Sequence, residues 1–224
     1  MGRAAIFDLD GTLVDTASDL IAAMNAIAPR FDLPELDPIE ARPVAGRGGR
    51  ALMRHAAAKA GRDFPDEQVL VAYPPFLDAY EARIADESRY FPGVEAAVDT
   101  LLADGWRVGV CTNKPERLAR LLLDKLGGGH RFAALLGADS LPVRKPDPRH
   151  VLETVSRVGG DPARAVMIGD TETDRRAAEN AGVPCALYAY GFSTIPLADL
   201  AAEAVFEDHA ALPGLLPGLI GETA

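Results

Sequence analysis

Basic charge is what this chain has little of. Its 224 residues carry 23 Lys and Arg against 33 Asp and Glu, a formal net charge of −10. No run of Lys or Arg supplies an electrostatic footprint, which argues against a nucleic-acid partner. An anionic ligand would have to meet a local positive site such as a metal ion, a lysine or a helix N-terminus. Cysteine is scarce as well: Cys111 and Cys185 are the only two, both in apolar, strand-like runs. Two buried thiols without a disulfide framework fit a reducing compartment, so a cytoplasmic location is expected. No apolar run reaches the ~18 residues that a membrane-spanning helix needs. An apolar strand starting near residue 4 leaves no room for a signal peptide, and no membrane partner is expected. Internal repeats and low-complexity stretches are lacking too. What remains, 48% hydrophobic and 25% charged, is ordinary for a soluble globular protein. The length allows one large domain or two unequal ones.

Against this background one stretch stands out. Ala4 to Phe7 reads as a short strand buried on both faces. Asp8-Leu9-Asp10-Gly11-Thr12 follows where the strand runs out. Side chains of an extended chain alternate, so Asp8 and Asp10 share a face. Two like charges this close repel unless a cation or a shared proton offsets them. Gly11 frees the backbone to turn. The loop after a parallel strand is also where open α/β sheets bind ligands. A bare acidic turn on the surface is the competing reading, and the apolar strand in front of it argues for a site.

The rest of the chain divides in two. Ala17, Leu20, Ile21, Met24, Ile27 and Phe31 recur at helical spacing, with Asp15 or Thr16 placed to cap that helix. Pro43 to Arg50 reads as a glycine-rich loop with two arginines, and Leu52 to Ala60 as a further helix. Pro74-Pro75 is expected to kink or split the helix marked by Val69, Leu77 and Tyr80. Residues 16–87 show no strand pattern and form an all-helical insert. From Tyr90 onward strands and helices alternate, with strands expected at 106–111, 132–136, 165–168, 185–188 and 204–206 and a terminal helix at 212–220. Such alternation implies a parallel sheet with right-handed crossovers. The fold class is therefore α/β, with a core domain of residues 1–15 and 88–224 and a helical domain of residues 16–87.

Four polar motifs stand at or near strand ends: Asp8/Asp10, Thr112/Asn113, Lys145 near one, and Asp170/Asp174. The carboxyl ends of parallel strands lie along one edge, so the motifs converge. Hard oxygen ligands of this kind suit Mg²⁺, which takes few carboxylates plus waters and substrate phosphate. Taken singly, Thr112-Asn113 is a turn, Lys145 a solvated charge and Asp170 a helix cap.

Together these residues resemble the haloacid dehalogenase superfamily in its phosphatase branch. The likeness runs through Asp8 to Thr12, Thr112, Lys145 before Pro146, and Asp170 with Asp174, and it covers nearly the whole chain. Within the branch it extends to the bacterial phosphoglycolate phosphatases through Cys111-Thr112-Asn113-Lys114 and the loop Gly46 to Arg50. The resemblance implies a Rossmann-like parallel sheet and a helical cap of the first type inserted behind the first motif. It implies that Asp8 is the nucleophile and forms an aspartyl-phosphate, and that Asp10 is the general acid and then the base. Thr112 and Lys145 are implied to hold phosphoryl oxygens. Mg²⁺ is implied to lie on Asp8, the Asp10 carbonyl and Asp170, with Asp174 a ligand or an orienting group. Thr12, Asn113, Gly46, Arg47 and Arg50 are the expected substrate contacts, Arg47 or Arg50 meeting a carboxylate. The expected partner is a small phosphorylated metabolite, 2-phosphoglycolate above others, and the chain a monomer or homodimer. A phosphosugar mutase, a hydrolase of sugar phosphates, nucleotides or pyrophosphate, and an inactive binding protein are the alternatives.

Overall fold

A computed structural model describes residues 2–222 of the chain. In chain order it builds β1 (Gly2–Phe7), β2 (Val14–Asp15), α1 (Ala17–Ile27), α2 (Pro38–Ala45), α3 (Gly49–Lys59), α4 (Asp66–Glu81) and β3 (Arg89–Tyr90). There follow α5 (Val94–Ala103), β4 (Arg107–Cys111), α6 (Glu116–Lys125), β5 (Ala134–Leu136), α7 (Pro148–Arg157) and β6 (Gly160–Gly169). The chain closes with α8 (Glu172–Ala181), β7 (Cys185–Tyr188), β8 (Ala204–Phe206) and α9 (Leu212–Leu219). Six strands form one sheet in the order β5-β4-β1-β6-β7-β8. Every pairing in it is parallel. β1 is central, with Ala5 opposite Val108 on one side and Val166 on the other.

Alternation along the central strands divides the core between the two faces of the sheet. Ala5, Phe7, Val108, Val110, Val166 and Ile168 point to one face, and Ala4, Ile6, Ala165 and Met167 to the other. The second face is covered by residues of α7 and α8, among them Val151, Val155, Ala177 and Ala178. The first face is continuous with the apolar interior of α1–α4, so that Phe7 and Val110 belong to one cluster with Met24, Leu52, Val69 and Phe76. Among the described residues no strand occurs between β2 and β3. These two short strands pair antiparallel, Val14 opposite Tyr90, and so close the neck of the helical block.

Two expectations need correction. Pro74-Pro75 does not split its helix: α4 runs unbroken from Asp66 to Glu81 with both prolines inside it. The two prolines leave the carbonyls of Leu70 and Val71 without their helical donors. Both of those residues are exposed, which places the orphaned groups within reach of solvent. The stretch Pro43 to Arg50 is also mostly helix: α2 continues through Pro43 to Ala45, and Gly49 already opens α3. The connecting loop is only Gly46-Arg47-Gly48, with Gly48 at φ 78°.

Candidate active site

The carboxyl edge of the sheet assembles the site. The Asp8 backbone N–H still donates to the Ile168 carbonyl of β6 at 2.8 Å, so the side chain leaves the sheet from its last ladder position. Asp8 Oδ1 accepts from the Leu9 N–H at 2.7 Å and pairs with Lys145 Nζ at 2.9 Å. The Lys145 side chain is 1% exposed and makes a second ion pair with Asp174 Oδ1 at 2.7 Å. Burial alone would neutralise that ammonium, but the charges of Asp174 and Asp8 hold its affinity for a proton above the usual value. Asp8 is pushed up to about 7 by burial; Lys145 opposes this, and the charges of Asp174 and Asp10 add to it.

Asp170 and Asp174 lie beyond the end of β6. Asp170 is fully buried, and its two oxygens accept from the Thr12 hydroxyl at 2.9 Å and the Phe192 N–H at 2.6 Å. Its carboxyl is held well above the usual range by burial and then by the charges of Asp174 and Asp8. Asp174 Oδ2 accepts from the Thr171 N–H at 3.1 Å and the Thr171 hydroxyl at 2.7 Å, closing a capping box at the start of α8. One carboxylate oxygen from each of Asp8, Asp170 and Asp174 lies within 4.8 Å of the others. Three buried carboxylates face a single lysine. That surplus negative charge and the all-oxygen donor set fit a hard divalent cation.

Asp10 points to the other side of the opening. Its Oδ1 accepts from the Thr16 hydroxyl at 2.7 Å and from Lys114 Nζ at 3.0 Å, and its Oδ2 lies 3.3 Å from the same ammonium. Lys114 also donates to the Tyr80 hydroxyl of α4 at 2.8 Å. Thr112 is buried at the end of β4, where its hydroxyl accepts from the Lys114 N–H at 3.1 Å. Asn113 Nδ2 donates to the Lys145 carbonyl at 3.0 Å, which ties these two loops together.

A cleft of about 200 Å³ opens over these groups. Its floor is Asp8, Asp10, Thr112, Asn113 and Lys145, and its roof is the Gly46–Gly49 loop with Tyr73, Phe76 and Tyr80 of α4. The glycines permit this approach: a Cβ on Gly46 would lie 2.2 Å from Phe192, and one on Gly49 2.2 Å from Phe76.

Residues 5–188 match the profile of the haloacid dehalogenase-like hydrolases. The chain belongs to that family. It is 45% identical to a phosphoglycolate phosphatase of Caulobacter vibrioides over 212 residues, 95% of this chain and 90% of that one. It is 39% identical to a phosphoglycolate phosphatase of Agrobacterium fabrum, over 98% of this chain and 95% of the relative. A solved structure from Haemophilus somnus, described as a predicted phosphoglycolate phosphatase, superposes with a TM-score of 0.86 at 28% identity. That superposition covers 96% of this chain and 97% of the other. This haloacid dehalogenase-like hydrolase is accordingly an enzyme, a phosphatase acting on phosphoric monoesters.

The hydrolase's structure therefore brings Asp8, Asp10, Thr112, Asn113, Lys145, Asp170 and Asp174 to one edge, and Gly46 and Arg47 to the cleft above them. Two expected substrate contacts fall elsewhere. Thr12 is wholly buried behind Asp170, because Gly11 at φ 86° turns the chain away from the cleft. Arg50 lies on the first turn of α3 with its guanidinium 4.2 Å from the Tyr73 ring centroid, outside the cleft lining. Thr16 occupies the N-cap of α1 but turns its hydroxyl to Asp10, while Asp15 accepts from the Ala17 N–H at 3.4 Å and pairs with Arg42 at 2.9 Å. Lys114, Tyr80 and Phe192 entered the site without being expected there, as did Tyr73 and Phe76 of the roof. Only Lys114 carried a usable signal, as a lysine directly behind a strand-end Thr-Asn.

Proposed function

We propose that this chain hydrolyses small phosphomonoesters, 2-phosphoglycolate first among them, through a phosphoenzyme on Asp8. The observation that carries this reading is the Asp8 carboxylate, 2.9 Å from Lys145 and within 4.8 Å of Asp170 and Asp174, on the floor of a small cleft. The substrate comes from the names of the relatives and from the cleft, whose size suits a two-carbon ester.

In this mechanism an Asp8 oxygen attacks phosphorus while the bond to the bridging oxygen breaks. Asp10 delivers its proton to that oxygen, so the alcohol leaves neutral. Water then attacks the aspartyl-phosphate, Asp10 takes up the water proton, and inorganic phosphate departs. Lys145 and Thr112 hold the phosphoryl oxygens, and Asn113 fixes the loop that carries Lys145. Asp8, the Asp10 carbonyl and Asp170 would hold Mg²⁺, which when bound screens the phosphate charge and aligns nucleophile and phosphorus. Asp174 has both oxygens engaged, by Lys145 and by Thr171, and serves to orient. Phosphoryl transfer needs mainly positioning and charge stabilisation, which this set supplies.

Residues 16–87 serve in this reading as a cap over a core of residues 1–15 and 88–224, and limit the water that reaches the phosphoenzyme. Arg47, on the cap loop, meets the substrate carboxylate. Two buried free cysteines support a cytoplasmic location. Among the described residues no helix is long and apolar enough to cross a membrane. A phosphate-release panel of phosphoglycolate, sugar phosphates, nucleotides and pyrophosphate tests the reading. Highest kcat/KM is expected for phosphoglycolate, and a preference for a nucleotide or pyrophosphate would replace it as substrate.

A further inference from the structure

We propose that Lys114 is a positioning residue that makes the placement of the Asp10 carboxyl depend on α4 being seated over the cleft. The inference rests on the proposed role of Asp10 as proton donor to the leaving oxygen.

Lys114 immediately follows the strand-end pair Thr112-Asn113, yet its side chain is only 4% exposed. An ammonium in so dry a place needs acceptors for its three donors. Asp10 takes one side of it, with contacts of 3.0 and 3.3 Å to both carboxyl oxygens. Tyr80 takes the other, its hydroxyl at 2.8 Å and its ring centroid 4.2 Å from Nζ. The tyrosine is 1% exposed and is aligned by Phe76 one turn earlier on α4, the two rings stacked at 6.4 Å.

Asp10 is thus fixed from two directions. Thr16, at the start of α1, reaches it from the neck at 2.7 Å. Lys114 reaches it from the core and carries the direct link to Tyr80 in the roof of the cleft. When α4 lifts, Lys114 loses an oxygen acceptor and the face of a ring, and water replaces both. The ammonium is then no longer confined to one place beside Asp10. A compact ammonium on a flexible stem suits this use, since it can serve a carboxylate and a hydroxyl at once without the fixed fork of a guanidinium. The consequence is a proton donor that is correctly aimed only when the cleft is covered.

The test compares two small substrates that differ in their need for a proton. Phosphoglycolate expels an alkoxide and needs the Asp10 proton; acetyl phosphate expels acetate and does not. The quantity measured is kcat/KM, which runs from free enzyme through the first phosphoryl transfer and omits hydrolysis of the phosphoenzyme. Lys114→Met should lower it on the order of 10²-fold for phosphoglycolate and less than ~10-fold for acetyl phosphate, the difference reflecting general acid catalysis. Tyr80→Phe keeps the ring and the ammonium; it should shift the same ratio in the same direction by about 10-fold. Tyr80→Phe also stands in where Lys114→Met fails to fold, as judged by its thermal unfolding curve. Equal losses on both substrates in folded variants, or an unchanged ratio in Tyr80→Phe, would overturn the proposal. If the wild type releases no phosphate from phosphoglycolate, the substrate reading fails instead, and ethyl phosphate takes its place as the alkyl ester in the same comparison.

Discussion

On the floor of the cleft the chemistry-bearing side chains are held by bonds from the sheet edge itself. Lys145 sits between Asp8 and Asp174, and Asp170 between Thr12 and the Phe192 N–H. On the roof, α3, α4 and the short loop before them present glycine backbone and aromatic rings, and a single arginine stands in the lining. The floor is dense in charge and leaves little slack. The roof is apolar, close-fitting and poor in polar anchors. In the proposed reading, chemistry common to many phosphomonoesters belongs to the floor, and choice among them to the roof. Lys114 is where the two meet, since its two side-chain partners come one from each.

Substitutions on the two sides should separate these contributions. The largest effect is expected at Asp8. Asp8→Asn should lower kcat on the order of 10⁴-fold or more, as removal of a nucleophile does. Its unfolding curve should stay close to that of the wild type, and substantial phosphate release from this variant would end the assignment of Asp8 as nucleophile. Chelation comes next. Treatment with EDTA should remove activity on every substrate alike, and added Mg²⁺ should restore it. Loss confined to carboxylate-bearing substrates would place the cation on the roof side.

Asp174→Ala should weaken the fold as well as the reaction. It deprives the buried Lys145 of its nearer partner, at a cost of about 3 kcal/mol. For a chain of this size that corresponds to a fall in Tm of roughly 6–12 °C. An unchanged Tm would mean that Asp8 alone satisfies Lys145. The smallest effect belongs to the roof. Arg47→Ala should raise KM for phosphoglycolate about 3-fold, within the range of a partly exposed charge pair, and leave KM for ethyl phosphate alone. Arg50→Ala should do neither, because its guanidinium is turned to Tyr73. A larger effect from Arg50 than from Arg47 would mean that α3 moves when substrate binds.

The floor was readable from the sequence because most of its groups sit where a strand ends, while Lys145 lies in the loop between β5 and α7. Asp8 behind Ala4 to Phe7, Thr112 behind Cys111 and Asp170 behind Ile168-Gly169 follow from the alternation of buried runs and turns. The roof was not readable in the same way. Tyr80 looks like one more apolar position of a helix, and nothing local shows that its hydroxyl meets a lysine 34 residues later. Phe192 lies in an irregular stretch after β7 without periodicity. Its place beside Asp170 is fixed by Gly191 and Gly11, where added methyl groups would strike Asp170. Pro74-Pro75 misled because proline costs a helix less where water can reach the carbonyls it abandons. Thr12 and Arg50 misled because Asp10 and Gly49 shortly before them do line the cleft, while the backbone turn at Gly11 and the helical start at Gly49 send these two elsewhere.

Phe192 has one more consequence. Its backbone N–H holds Asp170, and its ring fills the gap beneath Gly46 with the Arg42 guanidinium 5.3 Å above it. A change at Gly46 that pushes on this residue far enough to shift its backbone would reach the carboxylate behind it. Substrate range and cation affinity are in this way inherited together. A variant selected for bulkier esters should also arrive with an altered metal requirement, and one selected for a different metal with an altered appetite for substrates.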